Sequence, residues 1–302
     1  MSARTWKIPA WLEDGIVAVQ QVEGPYFAQR RKGFATLEAA EMTWREFSPE
    51  TAERLSQLGI NLAIINCYAG LGLKEEGDSM VKAKELAEQL HKRGIKVGAY
   101  VQNIGSVFFE PFLAEVPTAI NWFQRDHEGR RPTYYSQYFR YIPCINHEEY
   151  LKYLEKVLKI AVVEVKADLL FFDNYGYYSL TCNCDACKER FRMYLMAKYP
   201  TEEARRERFG FADVSHIDPP PFRSIAVDPF LPFEVERTAT VDPVEQEWID
   251  FRCHRLGEVS KRINNFIKGL NPNTAVSWNA PYVGPIMLNN ALFHGVWPAQ
   301  IY

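Results

Sequence analysis

Five short apolar runs, each separated from the next by a stretch with helical periodicity, are the feature that most constrains the fold of this 302-residue chain. The runs span residues 15–22, 60–66, 95–101, 168–172 and 275–278. Apolar runs of strand length that alternate with helices predict βαβ units and a parallel sheet. An open doubly wound sheet and a closed barrel both satisfy this pattern.

The stretches between these runs carry helix start and stop signals. Ser48 stands before Pro49, as a capping residue before a first-turn proline, and Gly59 and Gly94 mark helix ends. Helices are predicted at about residues 49–58, 80–93, 150–165, 189–198 and 245–270. Segments 103–147 and 200–243 have few periodic signals, so we expect irregular insertions there within one domain over residues 1–302.

Polar residues follow nearly every predicted strand. They are Glu23 after the first, Asn66 and Tyr68 after the second, Gln102 and Asn103 after the third, Asp173 and Asn174 after the fourth, and Asn279 after the fifth. Polar groups at successive strand ends are typical of the rim of a barrel, where barrel enzymes hold their sites. No glycine-rich phosphate loop follows the first strand, which disfavours a dinucleotide-binding sheet.

The strand count is low for a complete barrel. A (β/α)8 TIM barrel needs eight strands, typically in about 250 residues, whereas five strands are found by Trp278. We therefore expect a (β/α)8 TIM-barrel type that stops after five or six βα units, with an open sheet. Its uncovered strands and apolar surface would favour self-association into a homo-oligomer.

Charge and hydropathy exclude several classes of partner. The chain has 35 basic and 38 acidic side chains, a net charge of −3, which gives no reason to expect a nucleic-acid partner. No apolar run reaches the roughly 18 residues of a membrane span. The first residues lack the roughly 7–15-residue apolar stretch of a signal peptide, so a cytoplasmic location is expected.

Three of the six cysteines lie within six positions. Cys182, Cys184 and Cys187 form a C-x-C-x-x-C pattern. Thiolates at this spacing can bind one metal ion, although the C-x-x-C part also fits a redox pair and free thiols are a further alternative. Cys67 and Cys253 are expected to be small buried hydrophobic residues.

Two stretches of the chain carry a family likeness. Residues 140–154 (RYIPCINHEEYLKYL) and 171–195 (FFDNYGYYSLTCNCDACKERFRMYL) together resemble glycoside hydrolases of the family 42 β-galactosidase type. They look closer still to uncharacterised hypothetical glycosyl hydrolase TIM barrels related to that family. The resemblance implies a structural zinc held by Cys182, Cys184 and Cys187, with Cys144 as the fourth ligand.

The end of the fourth strand departs from the galactosidase pattern. Those enzymes end this strand with Asn-Glu, whereas here the order is Asp173-Asn174-Tyr175. An F-D-N strand end looks like that of retaining α-glycosidases and α-fucosidase-type barrels, which place an Asp nucleophile there. The resemblance thus implies that Asp173 is the nucleophile; the alternative from the residues alone is a turn or helix-capping aspartate.

The sequence therefore predicts a glycoside hydrolase that cleaves an oligosaccharide or glycoside with a carboxylate pair. Candidates for the second carboxylate are Glu23, Glu110 and Asp126, with Glu23 best placed at a strand end. Predicted substrate contacts are Glu23, Asn66, Tyr68, Gln102, Asn103, Asn174, Tyr175, Trp278 and Asn279. Because the second carboxylate of such enzymes lies on later strands, we expect little activity from these 302 residues alone. The alternative is a non-catalytic sugar- or protein-binding barrel with a structural zinc.

Overall fold

The computed structural model describes residues 9–13, 15–20, 30–33, 36–102, 105–135, 137–173, 175–176, 181–221 and 242–279. By internal contacts the chain divides into two compact units. The first unit comprises the described parts of 1–118, 151–175 and 262–279, and the second those of 119–150 and 176–261. The single domain expected over residues 1–302 stays a prediction.

The described residues form short strands and helices of widely different lengths, the longest of which has 28 residues. The strands are β1 (Ala18–Gln20), β2 (Leu62–Tyr68), β3 (Lys96–Gln102), β4 (Val107–Phe108), β5 (Thr133–Tyr134), β6 (Gln137–Tyr141), β7 (Leu169–Asp173) and β8 (Ala275–Trp278). The α-helices are α1 (Leu37–Glu46), α2 (Pro49–Gln57), α3 (Gly77–His91), α4 (Phe109–Glu115), α5 (Glu148–Lys159), α6 (Asp185–Lys198), α7 (Glu202–Phe209) and α8 (Pro243–Leu270). Ala10–Leu12 and Pro117–Asn121 are 3₁₀ turns, and Ile160–Glu164 is a π-helical turn.

A five-stranded parallel sheet forms the framework of the first unit. Its strand order is β1-β2-β3-β7-β8, and each strand pairs in parallel with its neighbour. The five strands coincide with the five apolar runs of the sequence to within three residues at each end. The parallel α/β arrangement is thus confirmed, whereas a stop after five or six βα units stays a prediction.

The helix start and stop residues predicted from the sequence take the expected positions in the structure. Ser48 accepts a hydrogen bond from the amide of Thr51, and Pro49 occupies the first turn of α2. Gly94 follows α3 with a φ of +73°, a left-handed conformation that glycine adopts without steric cost.

Three regular segments correct the sequence analysis. Helix α1 was not predicted, and the expected irregular insertions are partly regular. Segment 103–147 holds α4, a 3₁₀ turn and the antiparallel pair β5–β6. Segment 200–243 holds α7, whose signals were present: the Thr201 hydroxyl caps its start, and Gly210 ends it with a φ of +82°.

The two faces of the parallel sheet differ in character. Side chains alternate along a strand, so residues that pair in register lie on the same face. One face carries Leu62, Ile64 and Leu169, against which Trp11 and Leu12 of the first 3₁₀ turn pack. The opposite face is more deeply buried, with Val97, Ala99, Val101, Leu170 and Phe172 all at 0% exposure.

The second unit has its own core. It joins four buried cysteines to aromatic and aliphatic side chains of α6, α7 and α8. Its buried members are Cys144, Cys182, Cys184, Cys187, Phe191, Leu195, Phe209, Val214, Trp248 and Phe251. In the described ranges, no helix of either unit is long and apolar enough to cross a membrane.

Candidate active site and candidate metal centre

Asp173 ends strand β7 and is held by two hydrogen-bond donors from neighbouring strands. The Tyr100 hydroxyl donates to Oδ2 over 2.7 Å, and the Asn279 side-chain amide donates to Oδ1 over 2.6 Å. The side chain is partly exposed. A carboxylate accepts through both of its oxygens, so a donor on each oxygen fixes its orientation.

Several predicted site residues share the face of Asp173. Gln102 pairs in register with Asp173, and Asn66 pairs with Tyr100. The main-chain N–H of Asn279 donates to the Phe172 carbonyl over 2.7 Å, which continues β8 past its last residue. The carboxyl ends of four parallel strands therefore present Asn66, Gln102, Asp173 and Asn279 on one face, the geometry expected of a barrel rim.

Gln102 is the most deeply buried side chain of this group. Its side chain is 2% exposed, and its Nε2 has no hydrogen-bond partner within the residues the structure describes. Gly70 lies close by, since a Cβ placed there would meet Gln102 Cγ at 3.5 Å and the Ser106 carbonyl at 3.0 Å. A buried amide donor without a partner is costly, and contact of Gln102 with a substrate stays a prediction.

Two predicted contacts lie on the other face. The register of β2 shifts between Asn66 and Tyr68, so that Tyr68 pairs with Val101 and shares its face. Trp278 pairs with Phe172, and the two rings stack with centroids 4.6 Å apart. Tyr175 packs on the same indole at 4.0 Å. These aromatic residues are packed into the layer behind Asp173, and their contact with substrate stays a prediction.

Tyr100 is a site residue that sequence reasoning missed. It lies within β3, a run that the sequence analysis predicts only as a strand, and its ring lies 6.1 Å from Phe171 on the face of Asp173. The signal available was the period-two alternation in IKVGAYV, which puts Tyr100 and Gln102 on one face. The alternation alone does not place Tyr100 beside Asp173. That also requires the pairing register of β3 with β7, which lies about seventy residues further along the chain.

The candidates for a second carboxylate have different positions. Glu110 forms an ion pair with Arg31 at 2.6 Å, and both side chains are about a third or more exposed. Asp126 lies in the second unit and pairs with Arg130 at 2.7 Å. Three predicted site residues, Glu23, Asn103 and Asn174, lie outside the described residues.

A buried carboxyl group organises the loop after β2. Glu76 is 0% exposed, and its oxygens accept from the amides of Ala69 at 2.5 Å and Leu71 at 2.6 Å. Burial raises the pKa of Glu76 to about 8, and the main-chain donors only partly oppose that rise. The Glu76 side chain therefore holds the loop that contains Gly70 through the main-chain amides on either side of that glycine.

Four cysteines of the second unit converge on one point. The sulfur atoms of Cys144, Cys182, Cys184 and Cys187 all lie within 4.8 Å of one another. The Cys144 sulfur is 3.3 Å from that of Cys187 and 3.7 Å from that of Cys184. All six cysteines of the chain lie among the described residues, and none forms a disulfide.

The backbone explains why two of these cysteines, Cys184 and Cys187, meet. The Cys144 amide donates to the Trp122 carbonyl over 2.8 Å. Cys184 is the N-cap of α6, and its carbonyl accepts from the amides of Cys187 and Lys188, both at 3.0 Å. The first turn of α6 thus brings Cys187 back beside Cys184, which is what a C-x-x-C spacing at a helix start achieves.

This arrangement fits a metal ion. Four sulfurs at about 2.3 Å from a zinc ion in a tetrahedron are about 3.8 Å apart, a separation close to the observed ones. Hydrogen bonds from the neighbouring thiols lower the pKa of Cys184, whereas burial raises that of Cys187. Four buried cysteines in this geometry could bind a metal ion, with no coordination position left for a reacting water.

Comparison with known proteins supports the fold. No family model and no curated protein match the chain. A β-galactosidase from Bacillus circulans sp. alkalophilus is 21% identical with a TM-score of 0.56, over 78% of this chain and 34% of that one. A β-galactosidase from the Antarctic haloarchaeon Halorubrum lacusprofundi is 15% identical with a TM-score of 0.58, over 92% and 38%.

A third solved structure is similar over more of its own length. The catalytic domain of a β-amylase from Paenibacillus polymyxa is 12% identical with a TM-score of 0.54, over 83% of this chain and 68% of that one. The chain thus spans about a third of the two β-galactosidases. It has a mixed α/β fold with a parallel sheet, similar to that of TIM-barrel glycosidases.

Proposed function

We propose that the chain is the barrel part of a glycoside hydrolase in which Asp173 is the nucleophile. The observation that carries this proposal is the position of Asp173 at the carboxyl end of β7, oriented by Tyr100 and Asn279. A nucleophile needs a rigid element beneath it and fixed donors around it. The similarity of the fold to glycosidases supports the same reaction class.

The reaction follows from the chemistry of a carboxylate at that point. An Asp173 oxygen attacks the anomeric carbon while the bond to the leaving oxygen breaks, and a second carboxyl group donates a proton to that oxygen. Water, deprotonated by the same second group, then displaces Asp173 from the glycosyl ester. Asn66, Gln102 and Asn279 supply amide donors and acceptors for sugar hydroxyls, and Tyr100 and Phe171 offer ring surface beside them.

The test is chemical rescue of a glycine variant. In a form of the protein that hydrolyses aryl glycosides, Asp173→Asn should lower turnover by roughly 10³-fold or more. In Asp173→Gly, azide should enter the vacated space and form a glycosyl azide of inverted anomeric configuration, because it attacks in place of the nucleophile. Loss of the acid/base group would instead give a glycosyl azide of retained configuration. Asp168→Asn is the matched control, because Asp168 precedes the same strand at its other end and pairs with His91 and Lys96. Full activity of Asp173→Asn would refute the proposal.

A second candidate function is sugar binding without hydrolysis. Both Asp173 oxygens already accept a hydrogen bond from the protein. This favours a carboxylate that holds neighbouring side chains in place and does not react. Calorimetry with mono- and oligosaccharides separates the two. Sugar binding without turnover would favour this alternative.

We also propose that the metal of the cysteine cluster is zinc in a structural role. Cys144, Cys182, Cys184 and Cys187 would supply four thiolates, and a bound zinc would join the loop before α5 to the start of α6. Elemental analysis of protein purified without chelator should give about one zinc per chain. Protein that folds normally and holds no metal would overturn this assignment.

A further inference from the structure

We propose that Asn146 is an outer-sphere residue that sets how tightly the cysteine cluster holds its metal, and that Arg255 fixes the orientation of the Asn146 amide. This inference rests on the proposed metal site and adds two residues to it. Neither belongs to the four thiols, and neither was singled out from the sequence.

The direction of the Asn146 amide follows from its two partners. Its Nδ2 lies 3.1 Å from the Cys187 sulfur, and its Oδ1 lies 2.9 Å from Nε of Arg255. Arginine has donors and no acceptor, so Oδ1 must face Arg255. The NH₂ group must then face the sulfur, and it donates an N–H···S hydrogen bond to Cys187.

Arg255 is itself held on three sides. Besides Asn146, its Nη2 donates to the Ile145 carbonyl over 3.3 Å, and its Nη1 pairs with Glu258 at 2.9 Å. Its side chain is 11% exposed. A guanidinium fixed by three acceptors cannot follow the amide if it rotates, so the amide stays aimed at Cys187. Arg190 holds the same loop through the Asn146 carbonyl at 3.2 Å.

The charge of a loaded cluster explains why these contacts matter. Four thiolates around one divalent cation carry a net charge of −2, and the cysteines are at most 4% exposed. Burial of uncompensated charge is unfavourable. An N–H donor on one sulfur and a guanidinium behind that donor both stabilise the negative cluster relative to the empty thiols. Outer-sphere partners of this kind change metal affinity by roughly 10–100-fold.

The test measures zinc affinity of the full chain by competition with a chromophoric chelator. We expect Asn146→Asp to weaken zinc binding most, because an acceptor and a negative charge replace the donor at nearly constant size. Asn146→Ala and Arg255→Gln should each weaken it roughly 10-fold or more. Arg262→Gln is the matched control: it removes an arginine of the same helix that pairs with Glu155 at 2.8 Å, and it should leave the affinity unchanged.

Cobalt substitution supplies a readout that a loss of stability would not move. The sulfur-to-cobalt charge-transfer band should shift in Asn146→Ala, because the Cys187 sulfur loses its donor, and stay in place in Arg262→Gln. If Asn146→Asp, Asn146→Ala and Arg255→Gln all bind zinc within twofold of the unmodified chain, the inference is wrong while the metal site stands. If the unmodified chain binds no zinc, the metal site itself is wrong. If Asn146 variants do not fold, Arg255→Gln decides the question alone.

Discussion

The Asp173 site and the cysteine cluster differ in how the chain holds their functional groups. Asp173 lies at the partly exposed end of a strand, and its partners come from β3 and the end of β8. The four cysteines are almost fully buried within the core of the second unit. A group that reacts must remain reachable, whereas a group that holds structure gains from complete burial. The comparison predicts that changes at the cluster act on stability and changes at Asp173 act on turnover.

The largest expected effect tests the structural half of that comparison. If the cluster binds zinc as proposed, Cys187→Ser should abolish stoichiometric zinc binding and unfold the second unit, because structural zinc sites contribute apparent binding free energies of about 10–16 kcal/mol to folding. Limited proteolysis should then cut within residues 181–221 while the parallel sheet of the first unit stays protected. Mass spectrometry of the fragments checks this.

Cys253→Ser is the control for that prediction. Cys253 is 4% exposed on α8 and lies outside the four-sulfur cluster, so its replacement should cost about 1–2 kcal/mol. Equal losses in the two variants would mean that burial of a thiol, not metal binding, makes Cys187 important.

The second expected effect concerns Glu76, a buried carboxyl close in sequence to the site strand β2. Its folded-state pKa of about 8 lies above the ordinary value of 4.5 because burial disfavours the charge. The folded state therefore keeps its proton more tightly than the unfolded state. The stabilising contribution is complete below about pH 4.5 and is lost as pH rises through about 8.

Denaturant unfolding at a series of pH values checks this contribution. The free energy of unfolding should fall by several kcal/mol between pH 5 and pH 8. Glu76→Gln, which resembles the protonated form, should flatten that dependence. Glu75→Gln is the matched control, because Glu75 is the exposed neighbour. A pH dependence that survives in Glu76→Gln would assign it to another group.

The third expected effect separates the two faces of the sheet. Tyr100→Phe removes one donor from Asp173, and a hydrogen bond to a charged group contributes about 1.5–3 kcal/mol. Turnover should fall roughly 10–100-fold, and the thermal midpoint should fall by the few degrees that the lost hydrogen bond implies. Tyr68→Phe alters the same hydroxyl type on the opposite face and should change stability more than turnover. A steady-state comparison of both variants on one aryl glycoside checks the assignment, and the reverse pattern would contradict it.

The cysteine cluster could be predicted from the sequence more completely than the contacts of Asp173, for a physical reason. Cys182, Cys184 and Cys187 are close in sequence, so a loop and one helical turn bring them together without knowledge of the fold. The contacts of Asp173 join residues 73 and 106 positions apart. They depend on strand order and register, which apolar runs alone do not fix.

The positions of individual aromatic residues were harder to predict for the same reason. Tyr68 and Trp278 both follow or end apolar runs, and each was expected to contact substrate. The register shift between Asn66 and Tyr68 and the pairing of Trp278 with Phe172 turn both side chains to the buried face. A one-residue shift reverses the face of a side chain, and nothing in the local sequence marks that shift.

The smallest expected effect concerns Glu110, a candidate for the second carboxylate. Its ion pair with Arg31 lies at the surface, where such pairs contribute about 0–1 kcal/mol. If that pair is its whole role, Glu110→Gln should shift the thermal midpoint by less than about 2 °C and leave turnover unchanged. Arg31→Gln should behave in the same way. A deep loss of turnover in Glu110→Gln alone would instead make Glu110 the proton donor. Its two-carboxylate site would then consist of groups within the first unit, and the expectation that the second carboxylate lies on later strands would be wrong.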